Sequence, residues 1–93
     1  MKKIKLTEKT MNDIIKGVRA YDNMQVEDGN EDLCVIEIDN EKEFVCVWSC
    51  YEIFINKQTM EIGLGYDWDE KALMNIDENS INGILEYLEP WLC

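Results

Sequence analysis

The chain has 93 residues, 46% of them hydrophobic and 31% charged, with a formal net charge of −11 at pH 7 and no histidine. A chain this short closes around one core, so we expect a single domain over residues 1–93 with no room for a deep substrate cleft. The core-forming fraction excludes a disordered acidic tail, no apolar run reaches the roughly 18 residues of a membrane helix, and the charge disfavours direct contact with nucleic acid.

Met1-Lys2-Lys3 leads into Ile4-Lys5-Leu6-Thr7-Glu8-Lys9, which is not the apolar centre of a secretion signal, so a cytoplasmic location is expected. The first helix is then clearly punctuated. Thr7 is a capping residue, and Leu6 before it and Met11 at the fourth helical position form a hydrophobic staple. Met11, Ile14, Ile15 and Val18 follow the i, i+3, i+4, i+7 rule, and Tyr21 extends the stripe. This predicts a helix over about residues 8–22. Asn23 to Asp32, which includes Asp28-Gly29-Asn30, reads as an acidic loop.

From Leu33 the pattern is β. Leu33 to Ile38 is short, apolar and β-branched, and the polar Asp39-Asn40-Glu41-Lys42 makes a hairpin loop into Glu43 to Trp48. Glu43 to Asn56 passes without Gly or Pro, so it is either one long bent strand or two strands broken near Ser49-Cys50; the missing turn chemistry favours the bend. After a turn at Asn56-Lys57-Gln58-Thr59, Met60, Ile62, Leu64 and Tyr66 alternate with Glu61, Gly63, Gly65 and Asp67. That alternation predicts a strand with one apolar and one open face.

Trp68 to Asn75 suits a short helix. The last helix repeats the grammar of the first, with Asp77 as cap, Ile76 and Ile81 as staple, a stripe of Ile81, Ile84, Leu85 and Leu88, and Pro90 as stop. Trp91 is read as packing that helix onto the sheet. The expected fold is α+β: an antiparallel sheet of three strands, or four if the long stretch breaks, with N- and C-terminal helices on one face, in the order α-β-β-β-α. Val45, Val47, Ile53 and Phe54 cannot all lie on one sheet face, so some apolar surface is left for a partner.

Four cysteines raise zinc and disulfide chemistry. In extended chain, however, Cys46 and Cys50 would stand about 13 Å apart, too far to share an ion, and a cytosolic chain keeps its thiols reduced. We read them as core residues and expect no metal or other cofactor. The chain offers no histidine base, no Gly-x-Ser-x-Gly elbow and no Gly-rich phosphate loop, so no enzymatic activity is expected. Asp67 and Asp69 match the first two acids of an EF-hand loop, but no glycine follows at the sixth position.

What remains is the distribution of charge. Residues 1–20 carry six of the nine basic side chains and two acids, a net +4, and the rest of the chain carries −15. Thirteen of the 18 acids after Ala20 fall in three groups: Glu27, Asp28, Glu31 and Asp32 in the first loop; Glu37, Asp39, Glu41 and Glu43 through the first hairpin; and Asp67, Asp69, Glu70, Asp77 and Glu78 before the last helix. Carboxylates at alternate strand positions repeat every roughly 6.6 Å and can present an Arg-lined groove with a phosphate-like row of charge. Trp68, flanked by Asp67 and Asp69-Glu70, suits an interface anchor that stacks on arginine; packing in the core is its other reading. Gly83 lies off the last helix's apolar stripe, where drift at an unselected surface position is the favoured reading and a close approach by a partner's backbone the other.

These features point to an acidic inhibitor of a basic, nucleic-acid-handling protein. In size and composition the chain resembles the phage-type nucleic-acid mimics, including anti-CRISPR and antirestriction proteins, a likeness that rests on no motif. An immunity protein or antitoxin against a basic nuclease toxin is the alternative within the same physics. A non-catalytic housekeeping subunit, acidic only for solubility, is the alternative outside it. Oligomeric state is left open by the sequence.

Overall fold

In the computed structural model, residues 2–28, 34–48, 51–66 and 73–89 are described, with backbone only for 22–28, 34, 48 and 66. The elements run β1 (Lys3–Lys5), α1 (Glu8–Asp28), β2 (Cys34–Asp39), β3 (Glu43–Trp48), β4 (Tyr51–Asn56), β5 (Glu61–Tyr66) and α2 (Glu78–Leu88). The strands form one antiparallel sheet of five in the order β1-β5-β4-β3-β2. The α+β class and the two terminal helices match the sequence reading, and the sheet is larger than that reading allowed.

Two differences account for the larger sheet. Glu43 to Asn56 is not a bent strand but two strands, β3 and β4, paired along their full length from Glu43↔Asn56 to Trp48↔Tyr51. β1 is an addition: Lys3, Ile4 and Lys5 pair with Gly63, Ile62 and Glu61 of β5. The order is therefore β-α-β-β-β-β-α. Three residues with one inward side chain give no periodicity to read, and only the partner strand reveals them.

Strand alternation sends Ile36, Phe44, Cys46, Ile53, Ile55, Ile62 and Leu64 to the face that carries the helices. There they meet Met11, Ile14, Ile15, Val18 and Tyr21 of α1 and Ile81 and Leu88 of α2 in one core. Cys46 is buried in this core. Both helix starts form as the sequence indicates. The Thr7 hydroxyl oxygen accepts from the Thr10 amide at 3.1 Å, with Leu6 and Met11 buried on either side. Asp77 and Ser80 make a reciprocal capping box, with the Ser80 amide donating to Asp77 Oδ1 at 2.9 Å. α1 continues past residue 22 to Asp28, one residue short of Gly29, so Asn23 to Asp28 is helix and not loop.

The helices meet at a glycine. A Cβ placed on Gly17 would stand 3.0 Å from Leu88 Cβ, and Leu88 is wholly buried, so any side chain at residue 17 would press on Leu88 and push the helices apart by a few tenths of an ångström.

The outer sheet face is partly covered. Leu73 lies against Gly63 and Gly65, Phe54 packs beside Gly65, and the Met74 amide donates to Leu64 O at 2.7 Å. The face opposite Ile62 and Leu64 is therefore buried at its glycines instead of open, and Leu73–Asn75 is not helical. The strand itself starts at Glu61. Met60 belongs to the preceding turn, with φ 59°, where the Asn56 side-chain oxygen accepts from the Gln58 and Thr59 amides.

Candidate functional site

A bulge sets the geometry of the first hairpin. Ile36 pairs with Cys46 and Ile38 with Val45, so one residue is skipped and Asp39, instead of Ile38, stands opposite Phe44 on the helix face. Arg19 of α1 reaches it with a two-pronged contact, Nε to Oδ2 at 2.7 Å and Nη2 to Oδ1 at 2.6 Å, while the guanidinium carbon lies 6.0 Å over the Phe44 ring. Lys57 Nζ donates to Asp39 Oδ1 at 3.3 Å and to Asn40 O at 2.6 Å. The Arg19 hydrogen bonds hold the Asp39 carboxyl below the usual carboxylate range; partial burial opposes this, and Lys57 reinforces it.

Two of the nominated acids thus have structural work. Asp39 ties α1 to the hairpin, and Asp77 caps α2, with its carboxyl held low first by the Ser80 amide and then by the Ser80 hydroxyl. Glu37, Glu41 and Glu43 are exposed along β2, the turn and β3, with Lys42 among them, and Glu78 is exposed in the first turn of α2. For Glu27 and Asp28 the structure gives only a helical backbone. Glu31, Asp32, Asp67, Trp68, Asp69 and Glu70 lie outside the described residues, as does Trp91. The acids therefore divide between the β2–β3 hairpin and the α2 end of the molecule, and the described residues do not join them into one row.

Two residues that the sequence reading passed over belong with them. Glu86 and Glu89, both exposed, sit at the C-terminal end of α2, where no basic residue is present. Backbone carbonyls make that end of a helix partly negative, so acids there cost stability. α1 likewise has no basic residue in its last turn, which ends Glu27-Asp28. At α2 the signal is legible in the sequence, where the helix is expected to close before Pro90; at α1 it is not, because the sequence places the end of that helix near residue 22 and the structure carries it to Asp28.

Beside α2 lies an apolar groove of about 390 Å³ lined by Tyr51, Ile53, Leu64, Ser80, Gly83, Ile84 and Tyr87. Ile53 and Leu64 are its sheet side, α2 is its other wall, and Tyr51 and Tyr87 stand 42% and 50% exposed. Gly83 belongs to this wall. A second hollow of about 460 Å³, on the outer sheet face, has a mixed rim that includes Lys3, Lys42, Glu43 and Glu61. Val45 and Phe54 lie within it and Ile53 on the opposite face, so the apolar residues of β3 and β4 divide between the two faces as expected.

Among the described residues no three His, Cys, Asp or Glu side chains gather to hold a metal ion, and no helix is long and apolar enough to cross a membrane. Comparison of the sequence with protein families and curated proteins, and of the fold with solved structures, finds no match.

Proposed function

We propose that this chain is a non-catalytic, acidic inhibitor that occupies the basic, nucleic-acid-binding surface of a partner protein through carboxylate pairs with Arg and Lys. The observation that carries this reading is the placement of acids at the negative end of both helices, without a cation beside them in the last turn. Solubility alone asks only for net charge, which any exposed position supplies, and favours acids in first turns over last turns. Acids kept where they oppose the fold are better explained by a cationic partner that relieves them on binding.

A tagged copy held in host extract tests this across a salt series. A basic nucleic-acid-handling protein, released as salt rises and displaced by competing duplex, is the expected result, because exposed charge pairs weaken as ions screen them. Recovery of acidic partners only, or of partners indifferent to salt, would overturn the reading.

A further inference from the structure

We infer that the free edge of β2 receives an extended segment of the partner, which adds a strand to the sheet and brings Lys or Arg to Glu37, Glu41 and Glu43. The inference rests on the acidic-binder reading and specifies how such a partner is held.

The two edges of the sheet are built differently. Among the described residues it ends at β1 on one side and at β2 on the other. An edge strand offers backbone N–H and C=O groups to any extended chain, and proteins guard such edges with short strands, lysines, prolines or bulges. β1 is guarded twice, by its length of three residues and by exposed Lys3 and Lys5. β2 is six residues long, Cys34–Asp39, and contains neither Lys nor Pro. Its Val35 and Ile38 are 55% and 37% exposed. Val35 stands opposite Val47 and Ile38 opposite Val45, so an apolar strip runs along the outer sheet face up to this edge. The β-branched residues of an added strand would continue the strip.

What guards β2 is a bulge and negative charge, and charge excludes selectively. The bulge leaves Glu37 without an opposite residue in β3. Glu37, Glu41 and Glu43 are exposed and take part in no ion pair among the described residues, whereas Asp39 is already held by Arg19 and Lys57. Of residues 37–43 only Lys42 is basic, so the exposed charge along the hairpin is negative in excess. A second copy paired along the whole of β2 about a two-fold axis would set Glu37 beside that axis and against its own equivalent, because the middle of the strand falls between Ile36 and Glu37. A segment carrying Lys or Arg gains where the copy loses. The edge therefore selects an extended chain by its backbone and a basic one by its carboxylates.

Three end-blocked peptides test the inference: one of alternating valine and lysine, its copy N-methylated at every backbone amide, and its copy with glutamate for lysine, each titrated into the isotope-labelled full chain. The first should bind at least about tenfold more tightly than the N-methylated copy, which keeps the charge but has no backbone donor, and should slow exchange of the β2 amide protons. The glutamate copy should not bind. Val35→Lys with Ile38→Lys gives β2 the guard that β1 has, and should abolish the difference between the two lysine peptides while the melting temperature stays within a few degrees. Glu37→Gln, a milder change, should weaken the first peptide about threefold at low salt. Equal affinity of the two lysine peptides, with salt-sensitive binding of both, overturns the edge inference and leaves the acidic-binder reading intact. Equal binding of the glutamate copy overturns the selection by charge, and binding of no peptide at low salt overturns the reading beneath it. A chain that dimerises, and becomes monomeric with Val35→Lys and Ile38→Lys, makes a second copy the occupant and overturns the inference.

Discussion

The α1 side of the molecule and the α2 side treat charge in opposite ways. On the α1 side, cations are folded onto acids: Lys9 pairs with Asp13 at 2.8 Å, and Arg19 and Lys57 close on Asp39. On the α2 side, Glu78, Glu86 and Glu89 take part in no ion pair among the described residues, and the one acid with a structural partner, Asp77, is satisfied by Ser80. Burial differs in the same sense. Met11, Ile14, Ile15, Val18 and Tyr21 of α1 are buried, whereas α2 buries Ile81 and Leu88 and leaves Ile84 and Leu85 only partly covered. Among the described residues, one helix is fastened to the sheet by packing and charge together, and the other buries fewer side chains and presents its acids outward. The less fastened side is the better placed to engage a partner through side-chain charge.

The largest effect should come from the joint between these two sides at Gly17 and Leu88. Leu88→Ala removes a wholly buried side chain and should cost about 2–5 kcal/mol in urea unfolding. Gly17→Ala attacks the same joint from α1. Its Cβ would press on Leu88 Cβ, and overpacking of about 1–3 kcal/mol should outweigh the roughly 1 kcal/mol that alanine gains over glycine in a helix. In the Leu88→Ala background that pressure is gone, so Gly17→Ala should turn neutral or stabilising there. A double-mutant cycle that shows simple additivity would break the assignment of this joint.

That joint was not legible in the sequence, whereas the helix starts that lead into it were. Thr7 with Leu6 and Met11, and Asp77 with Ile76 and Ile81, are patterns contained within six residues, and local physics decides them. Gly17 reads only as a weak point in a helix until Leu88, far along the chain, is brought against it. The same holds for β1, whose pairing with β5 is non-local, and for the bulge that turns Ile38 outward and Asp39 inward. Half of the candidate site was legible for a related reason. Net charge and its sorting along the chain are sums over residues, so the acidic character was plain. Which acids are free is a matter of geometry: Asp39 was nominated as a contact and is used within the fold, while Glu86 and Glu89 were passed over and stand exposed.

The next effect belongs to the fastening on the α1 side. The side chains of Asp39, Lys57 and Arg19 are 27%, 18% and 50% exposed, so water screens much of the attraction among them. Asp39→Asn should cost about 1 kcal/mol near neutral pH. The pH dependence has a definite sign. The Asp39 carboxyl titrates lower in the folded chain than in the unfolded one, so its contribution is complete above the unfolded value of about 3.9 and is lost as pH falls through the folded value. Melting curves of the two proteins should stay apart above about pH 5 and converge as the solution becomes strongly acidic. A gap that widens on acidification would contradict the assignment.

On the α2 side, Gly83→Ala should do the reverse and stabilise. The position is exposed, in the helix interior and open above, so alanine should raise stability by about 0.5–1 kcal/mol and the melting temperature by a few degrees. A natural glycine that lowers the stability of α2 is consistent with a site kept clear for contact. Destabilisation by alanine would show that this wall is already occupied within the fold.

The smallest effect sharpens the comparison most, because it asks whether the acids of α2 oppose the fold. Glu86→Gln with Glu89→Gln removes two negative charges from the negative end of the helix and should stabilise the chain by a few tenths of a kcal/mol at low ionic strength. Glu78→Gln removes one from the positive end and should destabilise by a similar amount. Both changes should shrink as salt is added, since the charges are exposed and screening acts on them directly. Opposite signs at the two ends would locate the tension in the placement of charge along α2, whereas stabilisation by every neutralisation would reflect only the total of −11. In the same variants, loss of Glu86 and Glu89 should slow association with a basic partner more than it speeds dissociation, so that a gain in folding stability accompanies a loss in binding rate.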